Sequence, residues 1–380
     1  MEIAIIHYNW YLQEHGKLLA EGFLSKGAHV DMYLCNMKGC YASLPVADGF
    51  RILQKDTRGI FSRFFGRLLH VLYRRCFFLR NYINSIYNVI LALESRKFIC
   101  KKYYDLIIGV EKGGCFLAHK FSQATTASYI YYSLELSDRQ DFSYELLLGA
   151  LSRKEKIFVH GASSVILQDS SRAEFFLRNY PVKNIIYLPV SVKKIAPCSS
   201  TKQKICIAFG NNHFFKEEDF LVLSKSLPKG WQVVFHNESL RREKEIVATH
   251  GLKNLVISEG YLDENEIARM LASASIGLAF YGNRDENVRR IIFSSEKIAR
   301  YLSLGLPIIT NDLGNAYMLF GEIPCGIALK NLCEIGFAIK KIEKDYARFS
   351  TAAITAYEAY YNFDKNFEKI YPQLMAQVSK

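Results

Sequence analysis

The sequence predicts an α/β protein made of two doubly wound halves. Three observations carry this. Short apolar runs alternate with helical patterns twice along the chain, as in parallel sheets covered by helices. A polar linker, Ser191–Lys204, with Pro197 and several Ser and Lys, separates the two series. The 380 residues are 50% hydrophobic and 23% charged, a globular composition with enough chain for two cores.

In the first half, Glu2–Tyr8 reads as a strand that ends in polar residues. A helix follows through Leu18–Leu24, and Gly27 stops it before a second strand, Val30–Cys35. Tyr104–Val110 is a buried-type strand that runs into Lys112-Gly113-Gly114, and Ser128–Tyr132 is another. Tyr144–Phe158 reads as a helix, Ser164–Gln168 as a strand with a helix after Asp169, and Ile185–Leu188 closes the series. Beyond the linker, strands are expected at Lys204–Phe209, Gln232–His236, Leu255–Ser258, Ile276–Tyr281 and Leu306–Thr310. Helices are expected at Glu264–Leu271 and Ser295–Leu302, and the tail from Glu343 is mostly helical. The expected domains are 1–190, 191–362 and a C-terminal helix at 363–380 that packs back on the first domain. Two such halves place a cleft between them, and doubly wound folds bind ligands at the carboxyl ends of their strands.

Charge is unevenly spread. The formal net charge is +12, and residues 58–102 hold ten basic residues against the single acid Glu94. Phe61, Phe64, Phe65, Tyr73, Phe77, Phe78, Tyr82 and Tyr87 interleave with them. Arginines alternating with Phe and Leu at helical spacing suit a surface lying on an anionic membrane. An ordinary solvated helix face would look similar. Nucleic acid is not expected as a partner, because there is no zinc finger, RNA-binding aromatic signature or polybasic tail. The nine cysteines are scattered without C-x-x-C, which argues against a disulfide scaffold or zinc ribbon and fits a reducing compartment. No run approaches 18 apolar residues, and MEIAIIHYNW lacks the plan of a secretory leader. A cytoplasmic protein on the inner face of the cell membrane is therefore expected.

Residues 274–312 carry the most information. A strand ends at Tyr281, and a polar loop with Asn283, Arg284, Asp285 and Asn287 follows. Ser294-Ser295-Glu296-Lys297 then opens a helix that Gly305 ends, and Pro307 leads into the next strand. A Ser cap and an early Glu suit a helix start, and its free N–H groups beside Lys297 suit a phosphate. A well-capped helix with no ligand would read the same way.

This segment resembles the donor-site region of retaining glycosyltransferases of family 4, which have the GT-B fold: two Rossmann-like domains facing each other across a cleft. Ser294, Ser295, Lys297, Tyr301, Gly305 and Pro307 match the family's run, and Glu296 replaces a glycine. Ser164–Arg172 (SVILQDSSR) is similar to the family's "VIxQDxxRA", and Leu188–Val192 sits where such enzymes cross to the second domain. Gly210 and Lys216 match the spacing of the family's "GRL…KG" loop, whose Lys contacts the donor diphosphate. Tyr131–Leu136 (YYSLEL) resembles the acceptor-side strand end that often reads "HEL". There are departures. Asn211 stands for the Arg of "GRL", Leu134 for the histidine of "HEL", and Ile292 and Arg300 for the two glutamates of E-x7-E. The glycine-rich first loop is reduced to Gly16 after Glu14 and His15.

The resemblance implies a retaining transferase that moves a sugar from a nucleotide-sugar donor to a glycan or lipid-linked acceptor in surface polysaccharide or lipopolysaccharide assembly. No Asp-x-Asp occurs, so cations and backbone donors are expected to neutralise the leaving diphosphate without metal or cofactor. Lys216 and Lys297 would do this, with Gly16, Gly210, Asn211, Tyr281, Asn287, Ser294, Ser295 and Glu296 around the donor. Glu135 would orient the acceptor or shield charge at the anomeric carbon. His15, Glu111 and Gly113 are acceptor-side candidates, and His15 reads equally as loop packing. His160 and His236 read as packing residues, and Cys115 has no partner that would activate it. A sugar-nucleotide epimerase on the same fold, or a catalytically silent subunit that binds membrane and a partner transferase, stay open as alternatives.

Overall fold

The computed structural model describes residues 1–7, 13–35, 48–55, 102–136, 146–195, 202–210, 215–282 and 285–378, with helical positions 71, 72, 75, 82, 83 and 86. Most of the basic aromatic stretch 58–102 and Asn211 lie outside the described residues. The chain divides into two compact units, Met1–Pro189 with Asn366–Lys380, and Val190–Lys365.

The first unit holds a seven-stranded parallel sheet. Its strands are β1 (Glu2–His7), β2 (His29–Cys35), β3 (Phe50–Lys55), β4 (Leu106–Val110), β5 (Tyr129–Tyr132), β6 (Ser164–Leu167) and β7 (Ile185–Tyr187). They lie in the order β3-β2-β1-β4-β5-β6-β7. Helices α1 (Gln13–Ser25), α2 (Glu111–Thr125), α3 (Leu146–Gly161) and α4 (Ser170–Asn179) cover it. The central strands are buried along their whole length, which is why they read as unbroken apolar runs rather than alternations.

Helix α2 begins at the residue after β4, with no loop between them. Glycine makes this close approach possible. A Cβ at Gly109 would sit 2.6 Å from the Cys115 Cα, and one at Gly114 would sit 2.3 Å from the Ile6 carbonyl oxygen. Gly109 and Gly114 therefore form a seam where the helix lies close on β1 and β4.

Lys102, the last basic residue of the 58–102 stretch, does not face outward as a membrane contact. Its ammonium pairs with Glu2 (2.6 Å) and Asp31 (2.8 Å), and Arg51 and Tyr104 also bond to the buried Asp31 carboxylate. Three residues hold that carboxylate through four hydrogen bonds, so the network ties the chain back to the sheet where the stretch ends. The chain end belongs to this unit too: Phe367 meets Phe23 edge-on at 5.3 Å, and Lys26 pairs with Glu368. No described helix is long and apolar enough to cross a membrane.

The second unit holds a six-stranded parallel sheet of order β10-β9-β8-β11-β12-β13. Its strands are β8 (Ile205–Phe209), β9 (Gln232–Asn237), β10 (Leu255–Glu259), β11 (Ile276–Ala279), β12 (Ile308–Asn311) and β13 (Gly326–Leu329). Its main helices are α5 (Glu217–Ser226), α6 (Arg241–Thr249), α7 (Glu264–Ser273), α8 (Glu296–Ser303), α9 (Ile335–Lys344) and α10 (Tyr346–Ala356), and α11 (Phe363–Met375) leads back to the first unit.

In each sheet the strand order reverses once, between β1 and β4 in the first and between β8 and β11 in the second. At such switch points the helices after the two central strands diverge and leave a crevice at the carboxyl edge. The residues at these two edges are the place to look for chemistry.

Candidate functional site

The carboxyl edge of the second unit gathers the donor-side candidates. Strands β8 and β11 pair only through Ile276 with Cys206 and Gly277 with Ile207. The Tyr301 hydroxyl lies where the ladder stops: it accepts the Phe209 N–H (2.9 Å) and reaches the Ile207 carbonyl (3.1 Å). A Cβ at Gly277 would fall 2.3 Å from the Tyr301 ring, so glycine makes room for it. Tyr301 is thus a buried strut that satisfies backbone left unpaired by the parting strands.

After β8, Gly210 turns the chain at φ +78, a conformation suited to glycine. Lys216 is exposed at the start of α5, and its backbone N–H is held by Asp219 (2.8 Å). After β11, Tyr281 is clamped by Asn311, which accepts its N–H (3.0 Å) and donates to its carbonyl (2.9 Å). Asp285 caps a short helix, Glu286–Arg289, that carries the half-buried Asn287.

Ser295 is the cap of α8, its Oγ accepting the Ile298 N–H (3.3 Å) and bonding to the Tyr281 hydroxyl. Ser294 instead donates back to the Ile291 carbonyl. The Lys297 ammonium sits 4.9 Å from the Tyr281 ring centroid, half-buried. Loss of hydration pulls its pKa down from 10.5 to about 8. An anion placed beside such a cation would offset its lost hydration. Glu296 is turned along the helix to Arg300 Nε (2.7 Å), and the rest of the Arg300 fork is held by Glu264 (2.7 and 3.0 Å).

The carboxyl edge of the first unit gathers the acceptor-side candidates. Glu111 follows β4 with φ +59, in the left-handed region. Its Oε1 accepts the N–H of Leu134 (2.5 Å) and of Glu135 (2.9 Å), in the loop after β5. Burial, with the Glu135 carboxylate second, pushes the Glu111 carboxyl up to about 7. The loop is also held through its carbonyls: Gln168 donates to Ser133 O (2.8 Å), and Arg172 donates to Leu134 O (2.6 Å). Glu135 is half-buried on this loop. Gly113 is buried in the first turn of α2.

His15 and Gly16 lie in the first turn of α1, both buried. A Cβ at Gly16 would stand 2.0 Å from Nε2 of His7, the last residue of β1. Gly16 therefore gives its space to the His7 ring. His7 is 2% exposed, and burial followed by the charge of His15 lowers its pKa to about 3, so it stays neutral.

The two edges thus bring together Gly210, Tyr281, Ser295 and Lys297 in one unit, and Glu111 with Glu135 in the other. His236 stacks on Phe209 and bonds Ser258, a packing role. Three residues escape sequence reading: His7, Asn311 and the fully buried Arg172. Arg172 and Gln168 do lie in the "QDxxR" echo, but nothing in the sequence says that they grip the β5 loop. Among the described residues no three His, Cys, Asp or Glu side chains are grouped to hold a metal ion.

No protein-family model matches the chain, and no curated protein sequence matches it. Solved structures do match it end to end. Sucrose-phosphate synthase from Thermosynechococcus elongatus is 14% identical with a TM-score of 0.68, with 99% of each chain covered. Anabaena HepE, solved in complex with UDP, is 12% identical with a TM-score of 0.67, over 99% of this chain and 100% of that one. WaaG, a glycosyltransferase involved in lipopolysaccharide biosynthesis, is 14% identical with a TM-score of 0.62, over 98% and 99%. Two Rossmann-like units with parallel sheets, matched along the full chain by these structures, give the protein the GT-B fold.

Proposed function

We propose that the protein is a glycosyltransferase that moves a sugar from a nucleotide-sugar donor to a glycan or lipid-linked acceptor, as in surface polysaccharide or lipopolysaccharide assembly. The observation that carries this reading is the cluster of Tyr281, Ser295 and Lys297 at the β8/β11 switch point. It presents a capped helix start and a poorly hydrated ammonium where a doubly wound sheet receives a diphosphate. HepE, which shares the fold, is solved with UDP-glucose, so UDP-sugars are the first donors to test.

Lys216, Lys297 and the α8 N–H groups take up the charge of the departing diphosphate, with no metal required. The bond between the anomeric carbon and the diphosphate oxygen breaks, and the acceptor oxygen bonds to that carbon on the same face. The departing phosphate oxygen takes the acceptor proton, so no strong protein base is needed. Glu135 orients the acceptor and shields the oxocarbenium-like carbon. The 58–102 stretch, with nine basic residues besides the paired Lys102, brings the enzyme to an anionic membrane surface where a lipid-linked acceptor resides.

The test is transfer from labelled nucleotide sugars to membranes, with EDTA present and the anomeric configuration of the product read by NMR. EDTA-resistant transfer with retention, lost in Lys216→Ala and Lys297→Ala variants that still fold, is expected. EDTA-sensitive or inverting transfer would overturn the mechanism. A second reading, a catalytically silent subunit, is favoured by Arg300, a cation paired with Glu296 and Glu264 where the resemblance expects an acid. It predicts that both alanine variants leave the product unchanged.

A further inference from the structure

We infer that Glu111 is a positioning residue for the acceptor: its carboxylate shapes the loop after β5 that carries Glu135. The inference rests on the transferase reading above and adds the device that sets its acceptor side. Three features of Glu111 converge on it.

The first is backbone strain. Among the described residues only Glu111 and Thr126 are non-glycine residues at positive φ. Thr126 sits at the end of α2, where a left-handed residue is ordinary. Glu111 sits at φ +59 where β4 turns directly into α2, and a glycine would take that geometry without strain. A side chain is kept there at a cost in stability.

The second is what the side chain does. One carboxylate oxygen accepts two successive N–H groups, from Leu134 and Glu135. Gln168 and Arg172 hold the carbonyls of Ser133 and Leu134. Both faces of the loop backbone are thereby fixed, and the direction in which Glu135 leaves it is fixed with them.

The third is charge and place. A half-buried carboxyl beside a second carboxylate repels it and raises the cost of both ionised forms. Lys112, next in sequence, offers limited relief because it is buried against Glu155 at 3.2 Å. A latch selected for stability alone would sit on unstrained backbone. This one lies at the carboxyl ends of β4 and β5, beside the β1/β4 switch point.

The experiment compares the full chain with Glu111→Gly and Glu111→Gln. Acceptor is supplied as membranes of the cells that make the protein, and donor as the nucleotide sugar that raises its melting temperature. Glu111→Gly is expected to melt no lower than wild type, with faster hydrogen exchange at the amides of 134 and 135. Its donor KM should stay within about twofold while its acceptor KM rises about tenfold or more. Glu111→Gln keeps an accepting oxygen and should recover most of that loss. A wild-type acceptor KM in Glu111→Gly would overturn the inference. So would a Glu111→Gln as defective as Glu111→Gly, which would mean that the charge itself is required. A joint fall of melting temperature and both KM terms would reduce Glu111 to a structural role. A wild-type protein that transfers nothing would overturn the transferase reading itself.

Discussion

Replacing Lys297 by methionine should make the ligand-free protein more stable and its donor binding much weaker. The ammonium is half-buried over the Tyr281 ring and its pKa falls from 10.5 to about 8. Between those values the unfolded chain binds more protons than the folded one, so stability rises with pH from about 8 toward 10.5. Below pH 8 the folded protein bears the full cost of the desolvated charge. That cost is at most about 3 kcal/mol, and retained hydration makes it smaller. Methionine keeps the stem and removes the charge, so Lys297→Met should gain about 1–2 kcal/mol at pH 7 by urea unfolding. Donor binding runs the opposite way. If only the ammonium form binds a diphosphate, its population falls from about 90% at pH 7 to about 10% at pH 9, so affinity drops about tenfold. Titration calorimetry with UDP across this range, on both proteins, reads the effect. The wild type should lose affinity above pH 8, and the variant should bind weakly with no such step. A variant less stable than wild type, or one that binds UDP as tightly, would refute the reasoning.

Other substitutions test the frame around the two edges. Tyr301→Phe leaves the Phe209 N–H without its partner and should cost about 1–3 kcal/mol in urea unfolding, without a change in sheet content by circular dichroism. Gly16→Ala drives a methyl group into His7 and should cost about 1–3 kcal/mol. The loss should shrink when His7→Ala is made in the same chain, as a double-mutant cycle would read. His7 is held neutral with a pKa of about 3 while the unfolded chain takes up its proton near 6.5. Its contribution is therefore complete above pH 6.5 and is lost as pH falls from there toward 3, by about 1.4 kcal/mol per pH unit. His7→Gln should flatten that part of the acid unfolding curve.

Much of the frame is legible in the sequence. Buried central strands such as LIIGV and IGLA announce themselves because both faces are covered and every position is apolar. Of the four edge strands, β3 and β13 escape notice: Arg51, Gln54 and Lys55 break the apolar run of β3, and β13 is four residues long and only partly buried. No helix is read after β4, because Gly113-Gly114 weakens the helical pattern, whereas the tight approach to β1 needs a glycine at 114 within the helix. The Ser-Ser-Glu-Lys signature marks a helix start correctly, and Ser295 proves to be its cap. What the signature cannot convey is division of labour: Ser294 bonds backward, Glu296 goes to Arg300, and Lys297 turns to Tyr281. The grip of Arg172 and Gln168 on the β5 loop spans more than thirty residues of sequence and depends on β5 and β6 lying side by side. Local pattern carries no record of that pairing.

The claim that matters most is a nucleotide-sugar donor site in the second unit. Thermal shift of the full chain against UDP-, GDP-, CMP- and dTDP-sugars, with and without EDTA, tests it most directly. One nucleotide should raise the melting temperature, unchanged by EDTA, and Lys297→Met should abolish the rise. No rise with any of the four would contradict the account and leave the silent-subunit reading in its place.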